Sequence, residues 1–198
     1  MLLTIDIGNT NVTLGLYMQD ELGPRWRLAT VHDRMPDEYG LQFLGLLTHA
    51  SIQPEAIQGI CMASVVPPLT GKFIEACSKY LGKDPLVVDT GVKTGVRIRY
   101  EDPRAVGADR IVDAAAVQRL YGGPACVVDF GTATTFDAIA ENGDYLGGAI
   151  SPGIGIAAEA FFLRTAKLPR VDLQPPPQAI GRNTVHAMQS GLLFGYVS

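Results

Sequence analysis

The pattern of apolar and polar residues predicts strands in two separate groups along the chain. Three apolar or alternating runs near the N-terminus predict three consecutive strands, at residues 2–7, 12–17 and 26–31. After residue 122 the pattern restarts and predicts three more strands, at residues 125–130, 134–140 and 145–150, with a polar hairpin turn at residues 141–144. This repetition of three strands indicates a duplicated architecture.

Helical spacing of apolar residues fills the segments between and after these strands. Pro36 begins a predicted helix that runs to about residue 50, and Thr70 is expected to cap a second helix that ends at Gly82. The remaining predicted elements are two short strands at residues 59–65 and 86–88 and three helices at 109–121, 155–164 and from 184 onward. The order is therefore three strands, helix, strand, helix, strand, a connecting helix, three strands and two helices.

A break at Gly122-Gly123-Pro124 divides the chain into an N-terminal lobe, residues 1–121, and a C-terminal lobe, residues 122–198. The N-terminal lobe ends with a strand and a helix that have no equivalent in the C-terminal lobe. The sequence also ends at Phe194-Gly195-Tyr196-Val197-Ser198 without a helix C-cap or a polar tail. We therefore expect the second lobe to be truncated at its C-terminal end.

Composition narrows the class of protein without identifying it. The 198 residues, 47% of them hydrophobic, are enough for one good core or two small ones. A formal net charge of −4 offers no basic surface for nucleic acid or for an anionic membrane. The three cysteines lack metal-ligand spacing and sit in apolar runs, so we expect buried free thiols in a reducing cytoplasm. Residues 2–7 are too short for a signal peptide or membrane span.

One short motif, Asp-x-Gly followed by polar residues, occurs twice, each time directly after an apolar run. The first copy is Asp6-Ile7-Gly8-Asn9-Thr10, and the second is Asp129-Phe130-Gly131-Thr132. A glycine lets backbone N–H groups approach an anion, a hydroxyl adds a donor, and an aspartate offers a hard oxygen to a cation. Either copy alone also describes an ordinary β-hairpin turn. Because the Asp-x-Gly spacing is kept in both copies, we favour two phosphate-binding turns and an enzyme that uses ATP.

Asp109 is the candidate general base. It follows Gly107 at the start of a predicted helix between the two lobes, and phosphoryl transfer needs a group that accepts the proton of the attacking hydroxyl. A plain helix-capping aspartate is an equally good interpretation from the residues alone, and the helix dipole is expected to lower its pKa. For Arg110, pairing with a substrate carboxylate and a solvent-exposed place on the helix both remain open.

Further motifs give these phrases a family context. They are Ser64-Val65-Val66-Pro67, Gly107-Ala108-Asp109-Arg110, a glycine-rich stretch at residues 147–153, and Ile180-Gly181-Arg182-Asn183-Thr184. With both Asp-x-Gly phrases, the chain resembles the type III pantothenate kinases, a branch of the actin-like kinase superfamily, over essentially its whole length. The resemblance implies a duplicated, two-lobed α/β fold of the actin-like (ribonuclease H-like) type. It also implies ATP-dependent phosphorylation of pantothenate to 4′-phosphopantothenate, the first step of coenzyme A biosynthesis.

The same resemblance implies a role for each matching residue. Asp109 is the proton acceptor, Asp129 binds a monovalent cation (K⁺ or NH₄⁺), and Asp6 is the candidate contact of Mg²⁺. ATP is expected to contact Asp6, Ile7, Gly8, Asn9, Thr10, Asn11, Val12, Thr13 and Thr132. Pantothenate is expected to contact Tyr100, Gly107, Ala108, Asp109, Arg110 and Thr184, with Thr184 supplied across the interface of a homodimer.

Two other functions stay open beside the kinase. A phosphohydrolase of the same fold would let water replace the alcohol and would need no pocket for pantothenate. A non-catalytic accessory factor of transcription is the alternative outside enzymes, and direct DNA binding by such a factor predicts a basic stripe that this acidic chain lacks.

Overall fold

A five-stranded sheet forms the first half of the fold. The computed structural model describes residues 1–197, and in it the sheet has the strand order β3-β2-β1-β4-β5. Its strands are β1 Leu2–Ile7, β2 Asn11–Met18, β3 Glu21–Ala29, β4 Gly59–Ser64 and β5 Leu86–Val87. Short turns make β1, β2 and β3 antiparallel, whereas helical crossovers make β4 and β5 parallel to β1.

The described residues also form five α-helices, the strands of a second sheet and two short 3₁₀-helices, Pro54–Ala56 and Pro103–Ala105. The α-helices are α1 Pro36–His49, α2 Pro67–Leu81, α3 Ala108–Leu120, α4 Ile154–Arg164 and α5 Thr184–Val197. Among residues 1–197, no helix combines the length and the apolar character needed to cross a bilayer.

The prediction that Thr70 caps α2 is wrong. The N-cap is Val66, four residues earlier, and the helix begins at Pro67. Proline suits the first turn of a helix because that position needs no N–H partner and the ring fixes a helical φ. The Thr70 hydroxyl instead donates to Ser64 Oγ over 2.9 Å, which ties the helix to the end of β4. The predicted end of α2 is confirmed, since Gly82 takes a left-handed φ of 66° there.

The first core lies between this sheet and the paired helices α1 and α2. Alternate residues of β1 point into it, namely Leu3, Ile5 and Ile7, as the two-residue period of a strand requires. Tyr39 of α1 and Phe73 of α2 meet with ring centroids 4.2 Å apart. This core fixes β1, and so fixes the position of the Asp6 turn at its carboxyl end.

The second sheet contains β6 Ala125–Phe130, β7 Ala133–Ile139 and β8 Tyr145–Pro152, all antiparallel. Beside the β8 edge of this sheet, Ile98 forms an isolated parallel bridge with Tyr145. A smaller core lies beneath it, formed by Val88, Val106, Ile111, Ala114, Ile139 and Tyr145. Helix α3 contributes two of these residues and also packs against β4, so it contacts both sheets.

The expected duplicated α/β architecture is confirmed, with local differences in β3 and in the cysteines. Strand β3 spans Glu21–Ala29 instead of residues 26–31, and it can include Gly23 and Pro24 because it is an edge strand. The expectation that all three thiols are buried is confirmed for Cys77, whereas Cys61 is only half-buried. It is wrong for Cys126, which is exposed on the face of β6 opposite Ala125 and Val127. The lobe division at residue 122 stays a prediction.

Candidate active site

The two Asp-x-Gly phrases form two turns that meet each other. One joins β1 to β2 and the other joins β6 to β7, and the hydroxyl oxygens of Thr10 and Thr132 lie 2.7 Å apart in a hydrogen bond between them. Within the turns, the Gly8 N–H donates to the Asn11 carbonyl over 2.9 Å and the Gly131 N–H donates to the Ala133 carbonyl over 3.0 Å. Both are β-hairpin turns, which confirms the hairpin interpretation, and phosphate binding by these turns stays a prediction.

The equivalence of the turns extends to the strand register. Asp6 lies opposite Thr13 in the first hairpin, and Asp129 lies opposite Thr135 in the second. Both carboxylates line one cleft of about 310 Å³ between the hairpins, together with Asp109 at the start of α3. The other cleft residues are Gly8, Asn9, Thr10, Asn11, Arg27, Val65, Phe130, Gly131, Thr132, Ala133 and Thr135. The chain thus brings the candidate base into the same cavity as both turns.

Asp109 is held in a defined position at the N-terminus of α3. The N-cap is Gly107, so the interpretation of Asp109 as a simple helix cap is wrong. Its Oδ1 accepts the backbone N–H of Arg110 over 2.8 Å. A Cβ on Gly107 would collide with that same Oδ1 and would stand 3.4 Å from Val65 Cγ1. Glycine at this position therefore leaves the room in which the carboxylate sits.

Burial raises the pKa of Asp109 above its usual range. The hydrogen bond from the Arg110 backbone and the Arg110 charge lower this pKa, whereas the charges of Asp129 and Asp137 raise it. Loss of solvation is the largest of these effects, so the lowering expected from the helix terminus is outweighed. A carboxylate with a raised pKa holds a proton more readily, which suits a general base.

Arg110 lies in the protein interior with only 7% of its surface exposed. Its Nε donates to Asp137 Oδ1 over 2.7 Å, its Nη2 donates to the same oxygen, and its guanidinium lies 5.5 Å from the centre of the Tyr145 ring. The exposed-helix interpretation is therefore wrong. The guanidinium is already engaged by a carboxylate of the protein, and its contact with a substrate carboxylate stays a prediction.

The cleft concentrates negative charge. Burial raises the pKa of Asp6, and the charges of Asp109 and Asp129 raise it further. Arg27 of β3, which sequence reasoning missed, also lines this cleft. A polyphosphate entering such a cleft needs cations, and Asp6 and Asp129 present oxygen ligands suited to Mg²⁺ or K⁺. Among residues 1–197 no three acidic, histidine or cysteine side chains form a cage for a metal. Mg²⁺ that arrives with ATP needs only one or two carboxylates.

Asp113, one helical turn after Asp109, is a second residue that sequence reasoning missed, although the i, i+4 spacing on α3 was a signal for it. Burial raises its pKa to about 6, with further contributions from Asp129, Asp109, Asp137 and Asp6. Its carboxylate has no ion-pair partner among the described residues.

Replacing Asp113 by Asn should stabilise the protein at neutral pH. A carboxyl whose pKa is raised by folding favours the folded state while it is protonated, and that favourable contribution is lost as pH rises through about 6. The variant should therefore have the higher Tm at pH 8, and the difference should disappear near pH 4. Thermal unfolding of both proteins across this range measures the effect; an equal Tm at pH 8 would contradict the burial of Asp113 near the carboxylates of the cleft.

The other predicted site residues fall into two groups. Asn9, Thr10, Asn11 and Thr132 line the cleft, whereas Ile7 and Val12 are fully buried in the first core. The side chains of Ile7 and Val12 therefore cannot face ATP, and Thr13 lies on β2 opposite Asp6. Ala108 is buried as the first residue of α3.

Tyr100 and Thr184 lie outside the cleft of this chain. Tyr100 packs near Tyr145, with ring centroids 6.4 Å apart. Thr184 is the exposed first residue of α5 and lines a separate cavity of about 550 Å³. Asn183 provides the cap there, since its Oδ1 accepts the His186 N–H over 2.8 Å. A single chain therefore does not bring Thr184 to Asp109.

A second cavity of about 610 Å³ adjoins the cleft and shares five lining residues with it, namely Thr10, Asn11, Phe130, Gly131 and Thr132. Its other walls come from the start of α4 and from the following segment, namely Gly155, Ile156, Ala158, Glu159, Arg170, Val171 and Leu173. Gly153, the N-cap of α4, anchors this wall by donating its N–H to the Thr132 carbonyl over 3.0 Å. The cavity therefore lies between the two turns and the start of α4.

Comparison with known proteins assigns the sequence to one family. The family model for type III pantothenate kinase matches residues 2–198. The type III pantothenate kinase of Moorella thermoacetica is 57% identical over 197 residues, which cover 100% of this chain and 78% of that protein. The type III pantothenate kinase of Dehalococcoides mccartyi strain BAV1 is 52% identical over 196 residues, covering 99% of this chain and 74% of that one.

A solved structure supports the fold independently. A Baf-family protein of Campylobacter jejuni, described as a transcriptional activator, superposes with a TM-score of 0.59 at 22% identity, covering 98% of this chain and 75% of that one. At this identity the likeness concerns the fold alone. The family assignment depends on the sequence match over essentially every residue, and the chain belongs to the type III pantothenate kinase family.

Proposed function

We propose that this protein transfers the γ-phosphoryl group of ATP to the primary hydroxyl of pantothenate, forming 4′-phosphopantothenate for coenzyme A biosynthesis. Membership of the pantothenate kinase family supports the substrate. The observation that carries the proposal is the presence of Asp109 in the same cleft as both phosphate turns. A hydroxyl acceptor needs a proton acceptor at that point, and positioning with charge neutralisation supplies most of the remaining catalysis.

In the proposed reaction, Asp109 accepts the proton of the pantothenate hydroxyl as its oxygen forms a bond to the γ-phosphorus. The bond between that phosphorus and the oxygen bridging to the β-phosphate breaks, and ADP leaves with the bond's electron pair. The Thr10 and Thr132 hydroxyls, which form a hydrogen bond with each other where the two turns meet, are the proposed donors to phosphate oxygens. Asp6 and Asp129 would hold the cations, which would neutralise charge on the phosphates.

The proposal also assigns the cation ligands and the residues of the pantothenate site. Asp129 is exposed at the end of β6 and is our candidate ligand for K⁺ or NH₄⁺, with Asp6 as the candidate for Mg²⁺. The acceptor site includes Tyr100, the residues Gly107 to Arg110, and Thr184 of a second protomer in a homodimer. The exposure of Thr184 outside its own cleft supports that arrangement. Because ATP is the donor, we place the enzyme in the cytoplasm.

The test is ADP formation by this chain with Mg-ATP, measured with and without pantothenate in buffers of KCl or NaCl. The proposal predicts ADP formation that depends on pantothenate and is faster with K⁺ than with Na⁺. ADP formed at the same rate without pantothenate would instead indicate a hydrolase. No ADP formation from a folded protein that binds ATP would favour a non-catalytic role.

A further inference from the structure

Arg110, Asp137 and Tyr145 form a buried polar network that joins α3 to the second sheet. Asp137 of β7 is 1% exposed, and its Oδ1 accepts hydrogen bonds from Arg110 Nε over 2.7 Å and from the Tyr145 hydroxyl over 2.8 Å. The Tyr145 ring also lies beneath the guanidinium. An ion pair this deeply buried is costly to break from one side, so it holds its two elements in a fixed relation.

The network also reaches the wall of the cleft. Thr135, which lines the cleft opposite Asp129, donates its hydroxyl to Asp137 Oδ2 over 3.2 Å. Asp137 is two residues further along the same face of β7. A continuous chain of contacts therefore runs from the second phosphate turn, through Thr135 and Asp137, to Arg110, the residue directly after Asp109.

Gly148 leaves the space in which this network fits. A Cβ at Gly148 would lie 2.8 Å from Arg110 Nη2 and 2.9 Å from Asp137 Oδ1, and it would also collide with the Phe136 carbonyl. The packing of this network therefore explains the glycine at position 148 of the glycine-rich stretch without a contact to nucleotide. Arg110 and Asp137 approach each other across the backbone of β8.

We propose that Asp137 is a positioning residue for the phosphoryl transfer: by holding Arg110, it fixes Asp109 against the phosphate turn Asp129–Thr132. This inference rests on the proposed function for its kinetic consequences. Its structural content, the control of Asp109 by Asp137 through Arg110, can be measured without substrate.

The sign of the effect follows from the charges around Asp109. The groups that face it are Asp6 of β1, Arg110 and Asp113 of α3, Asp129 of β6 and Asp137 of β7. Asp137 raises the pKa of Asp109, and Arg110 lowers it. Neutralising Asp137 alone removes a raising charge and leaves the Arg110 charge uncompensated. The pKa of Asp109 should therefore fall.

The first variant is Asp137→Asn, with Asp37→Asn as control because Asp37 pairs with Lys79 at the surface, away from the cleft. We expect kcat of D137N to fall on the order of 100-fold while KM for ATP stays within a few-fold, since a base displaced by about 1 Å loses that much rate. The acidic limb of the kcat/KM profile should move to lower pH. A purely structural role would lower the amplitude and leave the limb in place. D37N should match the wild type in both.

The second variant, Arg110→Gln with Asp137→Asn, removes both buried charges and so avoids the unpaired guanidinium that threatens folding of D137N. Arg110 has the larger of the two effects on Asp109, so here the pKa of Asp109 should rise. Carbon-13 NMR titration of the Asp109 carboxyl measures it in every variant without substrate.

These measurements separate the two proposals. Opposite shifts of the Asp109 pKa in the single and double variants support the network, whether or not pantothenate is phosphorylated. An unmoved Asp109 pKa in the double variant, or pantothenate-dependent turnover of D137N equal to that of the wild type, would overturn it. Wild-type protein that forms no ADP with pantothenate would overturn the proposed function alone.

Discussion

Replacement of Asp109 by Asn is expected to lower kcat about 10²- to 10⁴-fold, because positioned acid–base catalysis contributes rate factors of that size. The amide cannot accept the proton of the attacking hydroxyl, yet it keeps the shape of the side chain. Asp109 lies at the start of α3, whereas most of the other cleft residues belong to the two turns. The Kd of Mg-ATP, measured by calorimetry, should therefore stay within a few-fold of the wild-type value.

Asp113→Asn is the matched control, since it makes the same chemical change one turn along the same helix. It should retain turnover within a few-fold. In the wild type, kcat/KM should rise with pH as Asp109 loses its proton, and burial places this rise at a higher pH than for an exposed aspartate. If D109N loses ATP binding together with turnover, Asp109 is a binding group and its assignment as the base is wrong.

Gly153→Ala is expected to have the second large effect, on stability and on ATP binding together. A Cβ at this position would collide with the carbonyl oxygens of Gly131 and Thr132 and would lie 2.8 Å from the Thr132 carbonyl carbon. The φ of −63° at Gly153 suits alanine, so the cost arises from overlap with the second phosphate turn and not from backbone strain. We expect the free energy of unfolding to fall by about 3 kcal/mol, the upper end for overpacking.

Relief of that overlap requires the turn at Gly131 and Thr132 to move, so the affinity for Mg-ATP should fall at least about 10-fold, or about 1.4 kcal/mol. Gly71→Ala is the matched control, because a Cβ there meets no atom within 4 Å. It lies inside α2, where alanine should stabilise the helix by up to about 1 kcal/mol. Denaturant unfolding and calorimetry compare the two; a destabilised G153A with unchanged ATP affinity would contradict the role of this turn.

The sequence predicts the parts of the fold that depend on local pattern. Both hairpins were found because each has an apolar strand, a short polar turn and a second strand, and their repetition raised the weight of the pattern. Helix α1 begins at Pro36 as predicted, where proline and two acidic residues satisfy the first turn. The local pattern does not fix the start of α2, because both Pro67 and Thr70 suit a helix N-terminus. The helix begins at Pro67.

The electrostatics of the site depend on contacts that no local pattern encodes. Asp137 sits in a strand with the two-residue alternation of a half-exposed surface, and only the packing of α3 on β7 places it beside Arg110, 27 residues away. The same packing buries Asp109 enough to reverse the direction of its expected pKa shift. The position of Thr184 outside the cleft of its own chain is likewise a matter of tertiary structure.

The most direct test of the account follows the phosphoryl group itself. ATP labelled with ³²P at the γ-position is mixed with this protein, Mg²⁺, K⁺ and pantothenate, and the labelled products are separated. The account predicts that the label appears in 4′-phosphopantothenate with the wild type and stays in ATP with D109N. Label released as inorganic phosphate at the same rate with and without pantothenate would contradict it.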